Sequence, residues 1–544
     1  MATGGEILVR ALIDRGVDTL FGLPGVQLDG LFDALAGNTG IRVIHTRHEQ
    51  STSFMADGYA RASGRVGVCA VVPGPGVLNA GAGLSTAFAT GSPVLLVAGN
   101  IFGGSASLGT GALHELPDQS AIIAGTIGAT QPVHTVEDIA PALDAAFARL
   151  QGCPVRPAAV EIGPEVLLAP TSYTLPPPHP APLPPQPDST LVVRAAERLA
   201  PSTRPVIVAG GGALAAGEAL YALAAALGAP IVLTPEGKGA VSANHPHVLP
   251  PLAGFPLLDE ADAIVTVGTR YHTVPGLGGV QHEATVVRID ADAERLASTP
   301  TRTPASVDLR ADAEPGAVAL AAALANVRVP DDERDERHRT RVAEVRATVL
   351  QGLAERFPET WAYCRALREV IPEDGILVDE MTQVGYMARN AYPVSQPGTL
   401  IGSGYQGTLG FGYSTALGAK VGCPDKPVVS INGDGGFMYG AAELATAVQH
   451  GINVVAAVFT DGAYGNVKRI QRLSYGREIA STLHNPDFVR LAESFGVPAT
   501  RVSDPEAFGP ALAEALEAGE PRLIDVSIGE QPEIWGLFMG RERF

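Results

Sequence analysis

The sequence has 544 residues, a formal net charge of −19 and 46% apolar side chains, too long a chain for one hydrophobic core and apolar enough to fill two to four. The acidic balance argues against nucleic acid and against an anionic membrane surface as partners, because both are bound through a basic face that releases counterions. Its four cysteines, Cys69, Cys153, Cys364 and Cys423, lie far apart without metal-ligand spacing, which gives no disulfide framework and fits a reducing cytoplasm.

The opening stretch MATGGEILVRALIDRGVD interrupts its apolar positions with Glu6, Arg10, Asp14 and Arg15, so it reads as a first amphipathic helix and not as a secretion signal. Short β-type runs at 18–21, 41–45, 66–72, 93–98 and 158–162 then alternate with helical stretches, the pattern of a parallel α/β unit, and residues 1–170 are assigned to a first domain. The proline-rich stretch 171–188 can join neither a helix nor a central strand and is read as an extended linker. A second α/β domain is placed at 189–325, with buried strands in RPVIVAGGGAL, APIVLTP, ADAIVTVGTR and TVVRIDAD. Residues 326–354 mix acidic and basic side chains as an exposed connector helix does. A third α/β domain, 355–544, has strands in GILVDE, VVSINGD, NVVAAVFTD and RLIDVSIG. The expected fold is α/β, with three doubly wound parallel-sheet domains. The apolar runs are far shorter than the roughly 18–20 residues of a membrane-spanning helix, and the cytoplasm is the expected location.

The stretch from Pro427 to Val467 carries the most chemical information. One buried strand ends in Gly433-Asp434-Gly435-Gly436, a helix is expected to begin near Tyr439, and a second buried strand ends in Thr460-Asp461-Gly462-Ala463. Both acids therefore emerge at the C-terminal ends of parallel strands, where ligands bind in open α/β sheets. The glycines let a diphosphate approach the backbone, the following helix favours its charge, and the carboxylates offer Mg²⁺ the hard oxygens it needs. Taken alone, Asp434 and Asp461 are equally compatible with a turn residue and a helix cap.

Taken together, Gly433-Asp434-Gly435 and the later strand-end pair resemble the thiamine-diphosphate motif of the acetolactate synthase, pyruvate decarboxylase and benzaldehyde lyase superfamily, and the likeness runs over nearly the whole chain. The resemblance implies that Asp434, Asp461 and the carbonyl of Ala463 hold the metal, with Gly433, Gly435, Gly436 and Tyr464 around the cofactor. Where the family usually has an Asn-Asn pair, this chain has Thr460-Asp461. An aspartate still supplies a hard oxygen, so metal binding is expected to survive with the metal preference left open.

Thiamine chemistry needs loss of the thiazolium C2 proton, and the cofactor's own 4′-amino group serves as base once a protein carboxyl hydrogen-bonds to N1′. The segment IRVIHTRHEQSTSFMADGYARASG resembles the family's catalytic glutamate motif and assigns that role to Glu49; without ADGYAR and the diphosphate motif, Glu49 would read as an ordinary first-turn acid. The segment IGSGYQGTLGFGYSTALGAK resembles the region that bends the cofactor, with Leu409 as the apolar prop and the Gly407 carbonyl accepting from the 4′-amino group. In FGLPGVQLDGLF, Val26 and Gln27 occupy positions that face substrate in relatives, and Val26 replaces the aspartate of pyruvate decarboxylases. His114, in GTGALHELPDQSA, is a candidate proton shuttle in place of those decarboxylases' paired histidines, and Glu380 and Ser403 are further pocket candidates, with Thr382, Gln383 and Tyr464.

The resemblance also implies a homodimer or homotetramer, with Glu49 of one copy serving the diphosphate site of another, and small-molecule carbonyl substrates. FAD, which acetolactate synthases hold in the middle domain, is an open option and not the expectation. Arg270 and Asp290 lie in similar segments, but the 248–262 stretch is shorter and Ile470 stands where a Trp is frequent. The Gly210-Gly211-Gly212 run lacks the spacing of a dinucleotide fingerprint. The function expected is an acetolactate-synthase-like carboligase or lyase, working through an ylide and enamine on a 2-oxo acid or 2-hydroxy ketone. Benzaldehyde-lyase-like cleavage or non-oxidative 2-oxoacid decarboxylation is the alternative, and a non-catalytic cofactor-binding paralogue is the rival from outside enzymology.

Overall fold

The computed structural model describes residues 1–103, 108–270, 284–298 and 306–538. Among these residues three six-stranded sheets, parallel at every pairing, form in chain order, with central strands that are largely apolar and buried and edge strands that are partly exposed. The first sheet runs Arg42–His45, Thr19–Gly22, Gly67–Val71, Val94–Gly99, Ala158–Ile162, Gln131–Val133. The third has the same topology: Leu400–Gly402, Ile376–Asp379, Val428–Gly433, Val455–Thr460, Arg522–Ser527, Ala499–Val502. In both, the first strand in sequence lies beside the third, and there the winding reverses. The middle sheet differs, running Val248–Leu249, Ile231–Leu233, Pro205–Ala209, Ala263–Val267, Thr285–Asp290, Val307–Arg310. Among the described residues, no helix is long and apolar enough to cross a membrane.

The long apolar strands fall where periodicity puts them. The sheet edges at Gln131–Val133, Val248–Leu249, Val307–Arg310, Leu400–Gly402 and Ala499–Val502 are not expected from the sequence, since short runs broken or flanked by polar residues, glycine and proline give no clear apolar signal. A further pair, Ala2–Thr3 with Pro170–Thr171, is antiparallel. The helix after Gly433 starts at Asp434, not near Tyr439, and continues through a tight turn at 441–443 into Leu444–His450. Glycine's poor helix propensity masks that start in the sequence.

The linker after Thr171 is extended as far as Asp188, whose carboxylate caps the helix Ser189–Leu199. The charged segment is a helix, Asp332–Arg356, that buries only the stripe Val342, Val345, Val349 and Leu353. The first and third sheets are joined by the helices Glu49–Ser63 and Phe411–Gly422. They cross at glycines: a Cβ on Gly58 would stand 2.0 Å from the Thr415 carbonyl oxygen, and one on Gly418 1.9 Å from that of Met55. Ser51 and Ser414 hydrogen-bond across the same crossing at 3.1 Å. Glu49 thus begins a helix locked onto the third sheet.

Candidate functional site

Three acids leave the C-terminal ends of adjacent strands in the third sheet: Glu380 after Ile376–Asp379, Asp434 after Val428–Gly433, and Asp461 after Val455–Thr460. Glu380 and Asp434 flank the point where the winding reverses, the crevice such sheets use for ligands. Asp434 is 2% exposed. Its Oδ1 accepts from the Gly435 N–H at 2.8 Å, and its Oδ2 from the Gly462 N–H at 2.8 Å and the Asn485 amide at 2.6 Å. Burial raises its pKa despite these donors. Asp461 reaches solvent at the rim, and its Oδ1 accepts from the Ala463 N–H at 3.0 Å. The surrounding protein and then the charge of Asp434 push it up to about 6. Asp434 and Asp461 are the two side chains at the ends of Val428–Gly433 and Val455–Thr460 that could offer oxygens to a cation.

No cage of three or more His, Cys, Asp or Glu side chains is found among the described residues. A cation between Asp434 and Asp461 would therefore complete its shell from backbone, phosphate oxygens and water, as Mg²⁺ commonly does. The glycines leave the necessary room. A Cβ on Gly435 would lie 2.5 Å from the Tyr464 ring, and one on Gly436 2.4 Å from Glu380 Oε1. The segment 481–485 braces this mouth: Tyr464 N–H donates to Ser481, Leu483 N–H donates to Gly462, and Ala463 pairs with Thr482. Asn485, on that segment, was not anticipated from sequence.

Glu380 is 1% exposed. Its Oε1 accepts from the Gly410 N–H at 2.5 Å, while Oε2 and the nearby Asn432 Oδ1 are buried without a partner. Burial, and secondarily the charge of Asp379, push its pKa up to about 8. Gly407 and Gly410 both have positive φ, 59° and 82°, conformations that suit glycine. Between them Leu409 is half-buried and belongs to none of the apolar clusters among the described residues. Ser403 is fully buried and accepts from Arg389 at 2.9 Å, beside the Arg389–Asp379 ion pair.

The first sheet assembles a second set. Glu49 opens its helix behind His48, whose ring Nδ1 accepts from the Gln50 N–H at 3.1 Å. The Glu49 side chain is half-buried, and Oε2 accepts from the Asn79 amide at 2.9 Å. Gln27 is buried and donates to the Leu113 carbonyl at 3.2 Å, which brings Val26, Gln27 and His114 together at the strand ends. His114 has φ 70° and a buried, unpartnered Nδ1, a strained backbone for a residue with a Cβ. Glu115 fastens this loop by accepting from the Gly109, Gly111 and Ala112 N–H groups.

A cavity of about 800 Å³ lies at the C-terminal ends of the middle sheet. Arg270 and Asp290 line it, with Arg156 and Arg295, and it extends to Met381 and Gly407 of the third sheet. Arg270 donates to the Ala89 carbonyl at 2.6 Å and lies 4.6 Å over the Tyr405 ring; Asp290 pairs with Arg295 at 3.0 Å.

Comparison with known proteins matches three family models: the N-terminal thiamine pyrophosphate binding domain at 2–122, the central domain at 192–320 and the C-terminal thiamine pyrophosphate binding domain at 380–526. The chain is 35% identical to a probable 2-ketoarginine decarboxylase of Pseudomonas aeruginosa, over 91% of this chain and 88% of that one. It is 31% identical to the acetolactate synthase isozyme 3 large subunit of Escherichia coli, covering 97% and 95%. A probable acetolactate synthase large subunit of Methanocaldococcus jannaschii is also 31% identical, covering 96% and 92%.

Proposed function

The chain belongs to the thiamine pyrophosphate enzymes, and on that footing we propose that it is an acetolactate-synthase-like carboligase or lyase acting on a 2-oxo acid or 2-hydroxy ketone, with Mg²⁺ as metal and two or more copies per active enzyme. The observation that carries this reading is the placing of Asp434 and Asp461 at neighbouring strand ends beside glycines with no room for a side chain. When bound, the cofactor supplies an electron sink for the carbon next to the substrate carbonyl.

The chain's own residues bind, orient and move protons around that sink. Asp434, Asp461 and the Ala463 carbonyl would hold Mg²⁺, and Gly433, Gly435 and Gly436 would leave the diphosphate its space. Gly407 would accept from the 4′-amino group, Leu409 would support the bend, and Tyr464 would close the diphosphate end. Glu49, whose carboxyl is half-buried in the single chain, would hold a proton against N1′ of a cofactor seated in a neighbouring copy. His114, with an unpartnered ring nitrogen, would exchange protons with the substrate beside Val26 and Gln27.

The alternative is non-oxidative decarboxylation of a 2-oxo acid, favoured by the 35% identity to a probable 2-ketoarginine decarboxylase. The deciding experiment supplies the protein, with thiamine diphosphate and Mg²⁺, with pyruvate, benzoylformate, 2-ketoarginine or benzoin, each with and without an aldehyde acceptor, and follows carbon dioxide and acyloin by mass spectrometry. Acyloin or acetolactate formed from a 2-oxo acid establishes the carboligase, and benzaldehyde released from benzoin establishes the lyase. Carbon dioxide with free aldehyde establishes the decarboxylase, and cofactor binding without turnover of any donor removes both readings.

A further inference from the structure

We propose that Glu443 is the positioning residue for Glu49, holding the loop that delivers it; the inference rests on the activator role given to Glu49 above. The strand Arg42–His45 ends just before this loop. Thr46 makes the last bond to the neighbouring strand, its N–H donating to the Gly22 carbonyl at 3.3 Å, and its hydroxyl donates to the His48 carbonyl at 2.9 Å. Beyond that point the Arg47 and His48 N–H groups face away from the sheet and need an acceptor from elsewhere.

Glu443 provides it from the third sheet's side of the molecule. It is 1% exposed. Its Oε1 accepts from the Arg47 and His48 N–H groups, both at 3.1 Å, and its Oε2 accepts from the Thr446 hydroxyl at 2.6 Å and from the Arg47 N–H at 3.2 Å. Three further contacts tie the same two segments: Arg42 to the His450 carbonyl at 3.1 Å, Arg47 to Gln449 at 3.3 Å, and the His45 and His450 rings at 3.3 Å. Those three are more exposed, whereas Glu443 is itself buried and multidentate, and it accepts from the N–H groups of the two residues before Glu49.

The run that carries Glu443 starts at Asp434. One helical stretch therefore begins in the diphosphate crevice and ends on the loop of the activating acid. A carboxylate that holds the N–H of the residue before Glu49 bears on where that side chain starts, and a misplacement of about 1 Å costs a catalytic group on the order of a hundredfold.

The test compares Glu443→Ala with Glu443→Gln. A carboxamide oxygen still accepts from both N–H groups while its NH₂ faces the Thr446 hydroxyl, so glutamine keeps the geometry and loses the charge. Two readouts are taken: backbone amide hydrogen exchange at residues 46–50 in the cofactor-free protein, and exchange of the C2 proton in the protein loaded with thiamine diphosphate and Mg²⁺. Alanine is expected to lower amide protection and C2 exchange by at least about tenfold, with cofactor affinity within about threefold of wild type, and glutamine to restore both.

If alanine prevents folding, Thr446→Val, which removes one donor to Oε2, should give a smaller loss in the same two readouts. Wild-type C2 exchange in Glu443→Ala, or in Thr446→Val where alanine does not fold, overturns the proposal, as does a glutamine variant as slow as alanine. Glu49→Gln, run alongside, separates the two claims: normal exchange there defeats the activator reading itself, whereas its loss together with normal exchange in Glu443→Ala defeats only the clamp.

Discussion

Replacing Glu380 by glutamine should make the cofactor-free protein progressively more stable, relative to wild type, as pH rises from 5 to 8. Burial pushes the Glu380 carboxyl from an ordinary 4.5 up to about 8, so the folded chain keeps a proton that the unfolded chain releases above its own pKa. Over that window the folded state binds the extra proton, and stability falls by about 1.4 kcal/mol per pH unit. Between pH 5 and pH 8 the loss is about 3.5 kcal/mol, since the titration is incomplete at both ends of the window; below 4.5 both states are protonated and the effect vanishes, and above 8 it saturates.

Glutamine has no such dependence and fits the site. Its oxygen can accept from the Gly410 N–H, and its NH₂ would face the side of the site where Asn432 Oδ1 lies without a partner. The assay is urea unfolding of both proteins at pH 5, 6, 7 and 8, taking the difference at each pH so that other titrating groups cancel. A difference that stays flat across the range would refute the claim that Glu380 is held neutral.

The remaining predictions concern the cofactor and the helix crossing. Glu49→Gln should leave thiamine diphosphate affinity nearly unchanged while slowing C2 proton exchange by at least about a hundredfold; exchange at the wild-type rate in an NMR quench experiment removes Glu49 from the mechanism. Asp434→Ala should lose Mg²⁺ and diphosphate together, because the same buried carboxylate orients the Gly462 turn and Asn485, and normal affinities by calorimetry would contradict the site. Gly58→Ala drives a methyl group to 2.0 Å from the Thr415 carbonyl oxygen and should cost about 1–3 kcal/mol; an unchanged unfolding midpoint would mean that the crossing is not held at its glycines.

What the sequence discloses and what it hides follow from the range of the interactions. The strands ending at Gly433 and Thr460 are largely apolar and closed by Gly and Asp, so the two acids are legible at their strand ends, while their nomination as metal ligands comes from the family resemblance and not from local pattern. Asn485 reaches Asp434 across 51 residues, and Glu443 reaches His48 across 395. Neither pair repeats with any period, and each of these side chains looks locally like a turn or surface residue. The same limit hides the start of the helix at Asp434. Its glycines disfavour a helix in isolation but are required where the Tyr464 ring and the Glu380 carboxyl press against them. Local propensity and tertiary contact thus disagree at the candidate site, the kind of place where a sequence violates local rules. Ser403, a pocket candidate by its sequence position, is likewise held by a contact that no local pattern announces: its hydroxyl accepts from Arg389, which pairs with Asp379.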